Sequence, residues 1–340
     1  MIRQPSSREF VASAEEAGLR YVTDAAPGIS RRRSGRGFSY RDPDGHVIRE
    51  RAHIRRFRSL AIPPAWNDVW ICPSPEGHLQ VTARDARGRK QYRYHPNFRA
   101  HRDRQKFDRM VTLSDVLWKV RERVERDIVR PGLQRKTVMA TLVWLLERTL
   151  IRVGSHELAK ANDSFGLTTL RRRHVSIDGA TLRFAFRGKS GVEHVVAVTD
   201  RRVARIVQRC RELPGRELFQ YVDARGRRQI VYADDVNTYL REITGCDVTA
   251  KDFRTWTGTM LAASDRTAER LGNTRAVCRK YYIHPALIEA YLEGEVLPPL
   301  PKPVWQERQP HGPTLRRHET EVLAFLKARM GTRRAGDCAS

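Results

Sequence analysis

Near residue 100 the spacing of the apolar residues changes, and that change restricts the chain to a mixed architecture built in two parts. Before it, short segments carry the alternation and β-forming residues of half-buried strands, at residues 38–41, 46–49, 69–72, 79–83 and 90–94. Turn-forming stretches break them at Asp42-Pro43-Asp44-Gly45, at 73–77 and at 85–88. After it, apolar residues recur every three or four positions over 113–129 and 138–152, the period of a helix. Strand-like segments follow at 167–172, 174–177, 182–186 and 194–198, then helical ones at 200–211, 234–243, 252–261, 274–282 and 285–293. The fold class expected is α+β: a small β-rich N-terminal domain over residues 1–98 and a mostly α-helical domain over 99–297. The run Pro298-Pro299-Leu300-Pro301-Lys302-Pro303 reads as an extended linker, so 298–340 is expected to be linker and tail with a short helix at 317–330. No internal repeat is visible.

The charge balance narrows the partner. The 340 residues carry 64 Lys and Arg against 39 Asp and Glu, a formal net charge of +25. Self-repulsion of that size opposes compaction, so a polyanion is the expected counterpart, and nucleic acid is the commonest one. An anionic membrane surface fits less well, because there is no apolar run near 18 residues and no long basic amphipathic helix. Only ten of the cations are lysines. Arginine suits bidentate phosphate contact, and a GC-rich genome would give the same bias. Either way, a lysine in a special position stands out. The five cysteines are scattered and none lie at zinc-ligand spacing, so neither a disulfide framework nor a structural metal is expected. No apolar signal core opens the chain, and a reducing cytoplasm is the expected compartment.

Five features gain meaning from their order. Arg152 stands in Ile151-Arg152-Val153-Gly154 at the end of an apolar helix, where a cation also suits the helix dipole. Lys189 stands in Arg187-Gly188-Lys189-Ser190-Gly191, a hairpin tip between apolar strands. Arg254 follows Lys251 in Lys251-Asp252-Phe253-Arg254, early in a helix, where a cation opposes the dipole and hints at a nearby phosphate. Asn273 lies in Leu271-Gly272-Asn273-Thr274, a turn and N-cap pattern. Tyr282 follows nine residues later. Each alone has an ordinary structural reading: a dipole-compensating cation, a solvated turn lysine, a core tyrosine.

The order Arg, Lys in a β-turn, Lys-x-x-Arg, Leu-Gly-Asn, then Tyr at plus nine resembles the shared catalytic domain of type IB DNA topoisomerases and tyrosine recombinases. Lys251 stands where recombinases usually carry His, which favours the topoisomerases. Two further stretches are similar to the small poxvirus and bacterial topoisomerases: Gly88-Arg89-Lys90-Gln91-Tyr92-Arg93-Tyr94 and the basic residues 99–109. Pro63-Pro64-Ala65-Trp66 and Arg279-Lys280-Tyr281-Tyr282-Ile283-His284-Pro285 look like the bacterial members in particular. The resemblance runs from about Leu19 to about Leu297 and departs from the poxvirus pattern at Asn273, where those enzymes have His.

The resemblance implies a catalytic domain over 99–297 that cuts one strand of double-stranded DNA and reseals it. Tyr282 would be the nucleophile, Arg152 and Arg254 would stabilise charge on the phosphoryl oxygens, and Lys189 would be the general acid. Asn273 would donate a hydrogen bond to a non-bridging oxygen. Arg89, Gln91, Tyr92, Tyr94 and Lys251 would contact DNA. Transesterification conserves bond energy, and no Gly-x-x-x-x-Gly-Lys-[Ser/Thr] loop is present. No cofactor is therefore expected to be required, with Mg²⁺ at most stimulating turnover by aiding release. A monomer clamped on DNA near the nucleoid is expected. A tyrosine recombinase is the rival reading. Arg31-Arg32-Arg33 reads as a phosphate-contacting or solvated basic loop.

Overall fold

The computed structural model describes residues 7–262, 278, 281–293 and 317–337. The chain divides into two compact units between Lys106 and Phe107.

The N-terminal unit is built on an antiparallel five-stranded sheet of order β2-β1-β3-β4-β5, with β1 at Ile29–Ser34, β2 at Gly37–Arg41, β3 at Asn67–Ile71, β4 at Leu79–Arg84 and β5 at Lys90–Tyr94. β4 is buried along nearly its whole length. Its inward Val81 and Ala83 join Ile29, Tyr40, Val69 and Ile71 in a core closed by Phe57. Phe57 is the buried residue of helix α2 (Arg51–Ser59), which is otherwise arginine-rich. Helix α1 (Ser7–Glu16) contributes Ala14 to a second small cluster with Leu19 and Phe98.

Three expectations change here. Residues 46–49 form no strand, only a bridge between Arg41 and Val47. Helices α1 and α2 escaped the strand-like reading. The basic run is strand β1, not a loop: Arg32 and Arg33 are exposed, but Arg31 is structural. Its guanidinium donates to the carbonyls of Ile62 (3.0 Å), Pro63 (2.9 Å) and Trp66 (2.8 Å) and lies 4.1 Å from the Phe38 ring centre. A run of like charges conceals a strand because alternation of burial is invisible when every residue is arginine.

Helix α3 (Pro96–Ile128) runs across the point of division and begins well before the helical periodicity does. The second unit is organised around α4 (Arg135–Thr149), a central helix buried at eleven positions, eight of them apolar and three threonine. Around it lie α5 (His156–Asn162), α6 (Arg201–Glu212), α7 (Ala233–Thr244) and α8 (Ala250–Ala262). The antiparallel sheet β6 (Val175–Asp178), β7 (Thr181–Arg187), β8 (Glu193–Thr199) turns Leu182, Phe184 and Phe186 inward and Arg183, Ala185 and Arg187 outward. A separate hairpin pairs β9 (Gln220–Val222) with β10 (Arg228–Ile230). Residues 167–172, read as a strand, are short 3-10 turns instead.

Two helices complete the described unit, α9 (Pro285–Leu292) and α10 (Arg317–Asp337). The latter is no loose tail. Val322, Leu323 and Leu326 are buried in the main core. Arg121 of α3 donates to Glu147 of α4 (2.6 and 2.9 Å) and to Glu319 of α10 (2.8 and 3.0 Å), and Trp256 of α8 donates to Glu319 at 3.4 Å. Burial disfavours a charge here, but the two carboxylates outweigh it and hold Arg121 ionised. Removing one partner of a buried ion pair costs more than the pair contributes. Arg121→Ala is therefore expected to lose about 3–5 kcal/mol of stability, measurable by urea denaturation, whereas an exposed control such as Arg126→Ala should lose less than about 1 kcal/mol. The Pro-rich run 298–303 lies outside the described residues.

Candidate active site

Arg152 reaches its place by leaving the helix. α4 stops at Thr149 and Leu150 takes a left-handed conformation (φ 57°), so Arg152 stands on an extended segment rather than in a helical last turn. That segment is pinned from the other side. The amide of Leu167 donates to the Arg152 carbonyl (2.8 Å) and the amide of Thr168 to that of Val153 (2.7 Å). The two backbones meet through glycines: a Cβ on Gly166 would lie 2.4 Å from the Arg152 carbonyl oxygen, and Gly154 needs φ +102°. Only glycine tolerates that approach.

Arg254 sits on the buried α8, 4% exposed. Burial and the neighbouring Arg152 push its guanidinium down to about 10. Its guanidinium carbon lies 5.2 Å from the centre of the Tyr282 ring. α8 also fixes the tyrosine's backbone, because the Thr259 hydroxyl donates to the Tyr282 carbonyl (3.1 Å) and accepts from the His284 amide (3.1 Å). Tyr282 lies in the turn before α9, with its amide bonded to the Cys278 carbonyl at 2.9 Å.

The electrostatics follow from this packing. Burial raises the Tyr282 phenol, but the charges of Arg254 and Arg152, and the hydrogen bonds both donate to it, outweigh burial and hold it below the ordinary tyrosine range. Adjacent Tyr281 is 48% exposed. Two cations converging on one half-buried phenol favour its anion and leave donors beside any phosphate brought to it.

Lys189 is exposed at the tip of the β7–β8 hairpin, where Ser190 (φ 66°) and Gly191 (φ 78°) make the tight turn. The tip is anchored by the Phe165 amide donating to the Arg187 carbonyl (2.8 Å) and by Gly188, which packs on the His194 ring. A Cβ on Gly188 would fall 2.5 Å from His194 Cδ2. His194 stacks on Phe186 at 5.2 Å. Burial, then Arg152 and Arg254, keep its imidazole below the usual histidine range. The ring thus supports the lysine-bearing turn from below and feels the charge of both arginines.

Of the residues expected to act, Arg152, Arg254 and Tyr282 are brought together, and Lys189 lies one residue from the glycine against His194. Asn273 lies outside the described residues. Lys251 is exposed in the first turn of α8. In the N-terminal unit, Arg89, Gln91, Tyr92 and Tyr94 lie on or beside β5; Tyr92 is exposed and its ring stacks on Tyr94 at 6.2 Å. Sequence reasoning passed over His194, Thr259 and Cys278. Only His194 left a signal: its parity on β8 matches Val196 and Val198, which pack on the core. Among the described residues, the acidic and histidine side chains that could share a metal ion are Asp42, Asp44 and His46, in the partly exposed turn after β2.

Residues 95–286 match the family model of the eukaryotic DNA topoisomerase I catalytic core, and residues 37–85 match that of the bacterial DNA topoisomerase IB N-terminal domain. The chain is 29% identical over 293 residues to a DNA topoisomerase 1B of Acanthamoeba polyphaga mimivirus, covering 78% of this chain and 87% of that protein. It is 26% identical over 98 residues to a DNA topoisomerase 1 of Mycosarcoma maydis, covering 28% of this chain and 10% of that one. Among solved structures, a XerH site-specific recombinase bound to a palindromic difH substrate aligns at 13% identity. That alignment covers 53% of this chain and 50% of that one, with a TM-score of 0.38. With the catalytic-core match spanning more than half its length, the chain belongs to the type IB DNA topoisomerases, α+β enzymes whose substrate is DNA.

Proposed function

We propose that Tyr282 is the nucleophile and that the two arginines on it form the charge-stabilising centre. The convergence of Arg152 and Arg254 on the Tyr282 hydroxyl carries this reading. The phenol oxygen attacks the scissile phosphorus and its proton passes to solvent, a loss made easier by the lowered phenol pKa. The bond from phosphorus to the 5′-oxygen breaks, and that oxygen takes a proton from Lys189. The products are a 3′-phosphotyrosine and a free 5′-hydroxyl. Resealing is the same path in reverse: the 5′-hydroxyl attacks, returns its proton to Lys189, and Tyr282 leaves. Between the two steps the cut strand swivels and supercoils of both signs relax.

Attack raises negative charge on the non-bridging oxygens. Cations already fixed around them bind the transition state better than the ground state, and require no reorganisation. Asn273 would add a neutral donor to the same oxygens. Arg89, Gln91, Tyr92, Tyr94 and Lys251 would hold the duplex, with the enzyme acting as a monomer clamped around it at the nucleoid. No described helix is long and apolar enough to cross a membrane. Neither ATP nor a metal is needed on this reading, since bond energy is conserved and the arginines supply the positive charge; Mg²⁺ would only speed release. The recombinase alternative gains no support from the site, where Lys251 precedes Arg254 in the Lys-x-x-Arg pattern.

The test is plasmid relaxation with EDTA and no ATP. Complete relaxation of positively and of negatively supercoiled plasmid is expected. A strict need for ATP or a divalent metal, or action on negative supercoils alone, overturns the reading.

A further inference from the structure

No domain-sized repeat is present, but two seven-residue stretches are nearly identical. Asp85-Ala86-Arg87-Gly88-Arg89-Lys90-Gln91 and Asp223-Ala224-Arg225-Gly226-Arg227-Arg228-Gln229 agree at every position but the sixth, where both have a cation. The first forms the tip between β4 and β5 in the N-terminal unit, the second the tip between β9 and β10 in the other unit.

Their hydrogen bonds coincide atom for atom. Asp85 Oδ1 accepts from the amides of Arg87 (2.9 Å) and Arg89 (3.0 Å), and Asp223 Oδ1 from those of Arg225 and Arg227 (both 2.9 Å). Asp85 Oδ2 accepts from Arg89 Nε (2.8 Å) and Gln91 Nε2 (2.9 Å); Asp223 Oδ2 accepts from Arg227 Nε (3.1 Å) and Gln229 Nε2 (3.0 Å). Gly88 and Gly226 supply φ +72° and +75°. In both tips the Asp and Gln are half-buried and the five residues between them exposed.

A tight turn explains only part of this. It needs the Asp that caps the amides and the Gly with positive φ. It does not need an arginine at the fifth position, a glutamine at the seventh or cations at the third and sixth. What these add is a carboxylate whose second oxygen holds one guanidinium and one amide in a fixed fan, with the outer edge of the arginine in solvent: its side chain is 57% exposed at Arg89 and 62% at Arg227. Each tip carries three cations: the fifth-position arginine is held by the carboxylate, the third-position arginine is exposed, and at the sixth position Lys90 pairs with Asp24 while Arg228 donates to the Pro214 carbonyl. Ordering an arginine before its ligand arrives lowers the entropy lost on binding, and a fixed guanidinium edge suits phosphate.

We propose that the β9–β10 tip is a second DNA-backbone contact, built on the catalytic unit from the same device as the β4–β5 tip, with Arg225 and Arg227 directed to duplex phosphates. This rests on the reading that Arg89 and Gln91 touch DNA. The contact is to phosphate and independent of base sequence.

The test uses the full chain with Tyr282→Phe, so that cleavage does not obscure binding. Duplex affinity is measured against salt, together with interference by phosphate ethylation. Arg225→Gln/Arg227→Gln is expected to lower the slope of log K against log salt by about 1–2 and to erase interference at one or two phosphates while the rest persist. An unchanged slope and an unchanged pattern overturn the proposal. Arg87→Gln/Arg89→Gln in parallel separates the two levels. If that variant loses contacts and the β9–β10 variant does not, the second contact is wrong and the first stands. If neither loses any, the DNA-contact reading of the first tip fails as well. Should the double variant not fold, Arg225→Gln alone leaves every hydrogen bond of the turn in place and is expected to lower the slope by about 1.

Discussion

Tyr282→Phe is expected to bind duplex DNA about as well as the unaltered chain and to form no covalent adduct, a loss of at least about 10⁴-fold in cleavage. The substitution removes one oxygen and leaves the ring against Arg254, so the packing of the turn before α9 is kept. Tyr281→Phe, at an exposed position, should stay within about twofold of normal cleavage. Trapping the adduct with detergent and sequencing the labelled peptide distinguishes the neighbours. A label on Tyr281 would mean that the two arginines serve some purpose other than activating the phenol they touch.

The second large effect separates proton donation from charge stabilisation. Lys189→Ala is expected to slow cleavage of ordinary DNA by about 10²–10⁴-fold, the usual contribution of a positioned acid. Arg254→Ala should slow it by about 10²–10³-fold, as for the loss of a fixed donor at the developing charge. The two diverge on DNA whose scissile 5′-oxygen is replaced by sulfur. A thiolate leaves without a proton, so Lys189→Ala should recover nearly full single-turnover cleavage while Arg254→Ala remains slow. Recovery of Arg254→Ala alone would reverse the two assignments. Recovery of neither would place the acid elsewhere, with Arg152 as the next candidate. Exposure at a hairpin tip suits this role, because Lys189 is not committed to the core there.

Much of the second unit was legible because its elements announce themselves locally. The alternation of Leu182, Phe184 and Phe186 marks β7, the three- and four-residue spacing over 138–149 marks α4, and Pro285 opens α9. The N-terminal unit was less legible. β1 is half arginine, and α2 shows its helical period only in Ile54 and Phe57, set three apart among arginines, which is too short a pattern to stand out. The helix expected at 317–330 is present, but its place in the core was hidden for a related reason. Three buried apolar residues look like little beside a Pro-rich run, yet Glu319 inserts a carboxylate that Arg121, distant in sequence, balances.

By itself the sequence determined the chemical inventory: which cations and tyrosines are present, in what order, and that Lys189 sits at a hairpin tip and Arg254 in a helix. Those properties depend on neighbours a few residues away, where spacing and turn chemistry act. The tertiary structure alone decided that α4 stops short and frees Arg152, and that Arg31 holds carbonyls instead of phosphate. It also decided that His194 packs under the lysine turn and on Phe186, and that one phenol of the two comes under two guanidiniums. Each of these depends on segments far apart in the chain meeting at a few ångströms. A guanidinium's burial, and hence the free energy of its charge, is set by what packs over it rather than by what precedes it in sequence.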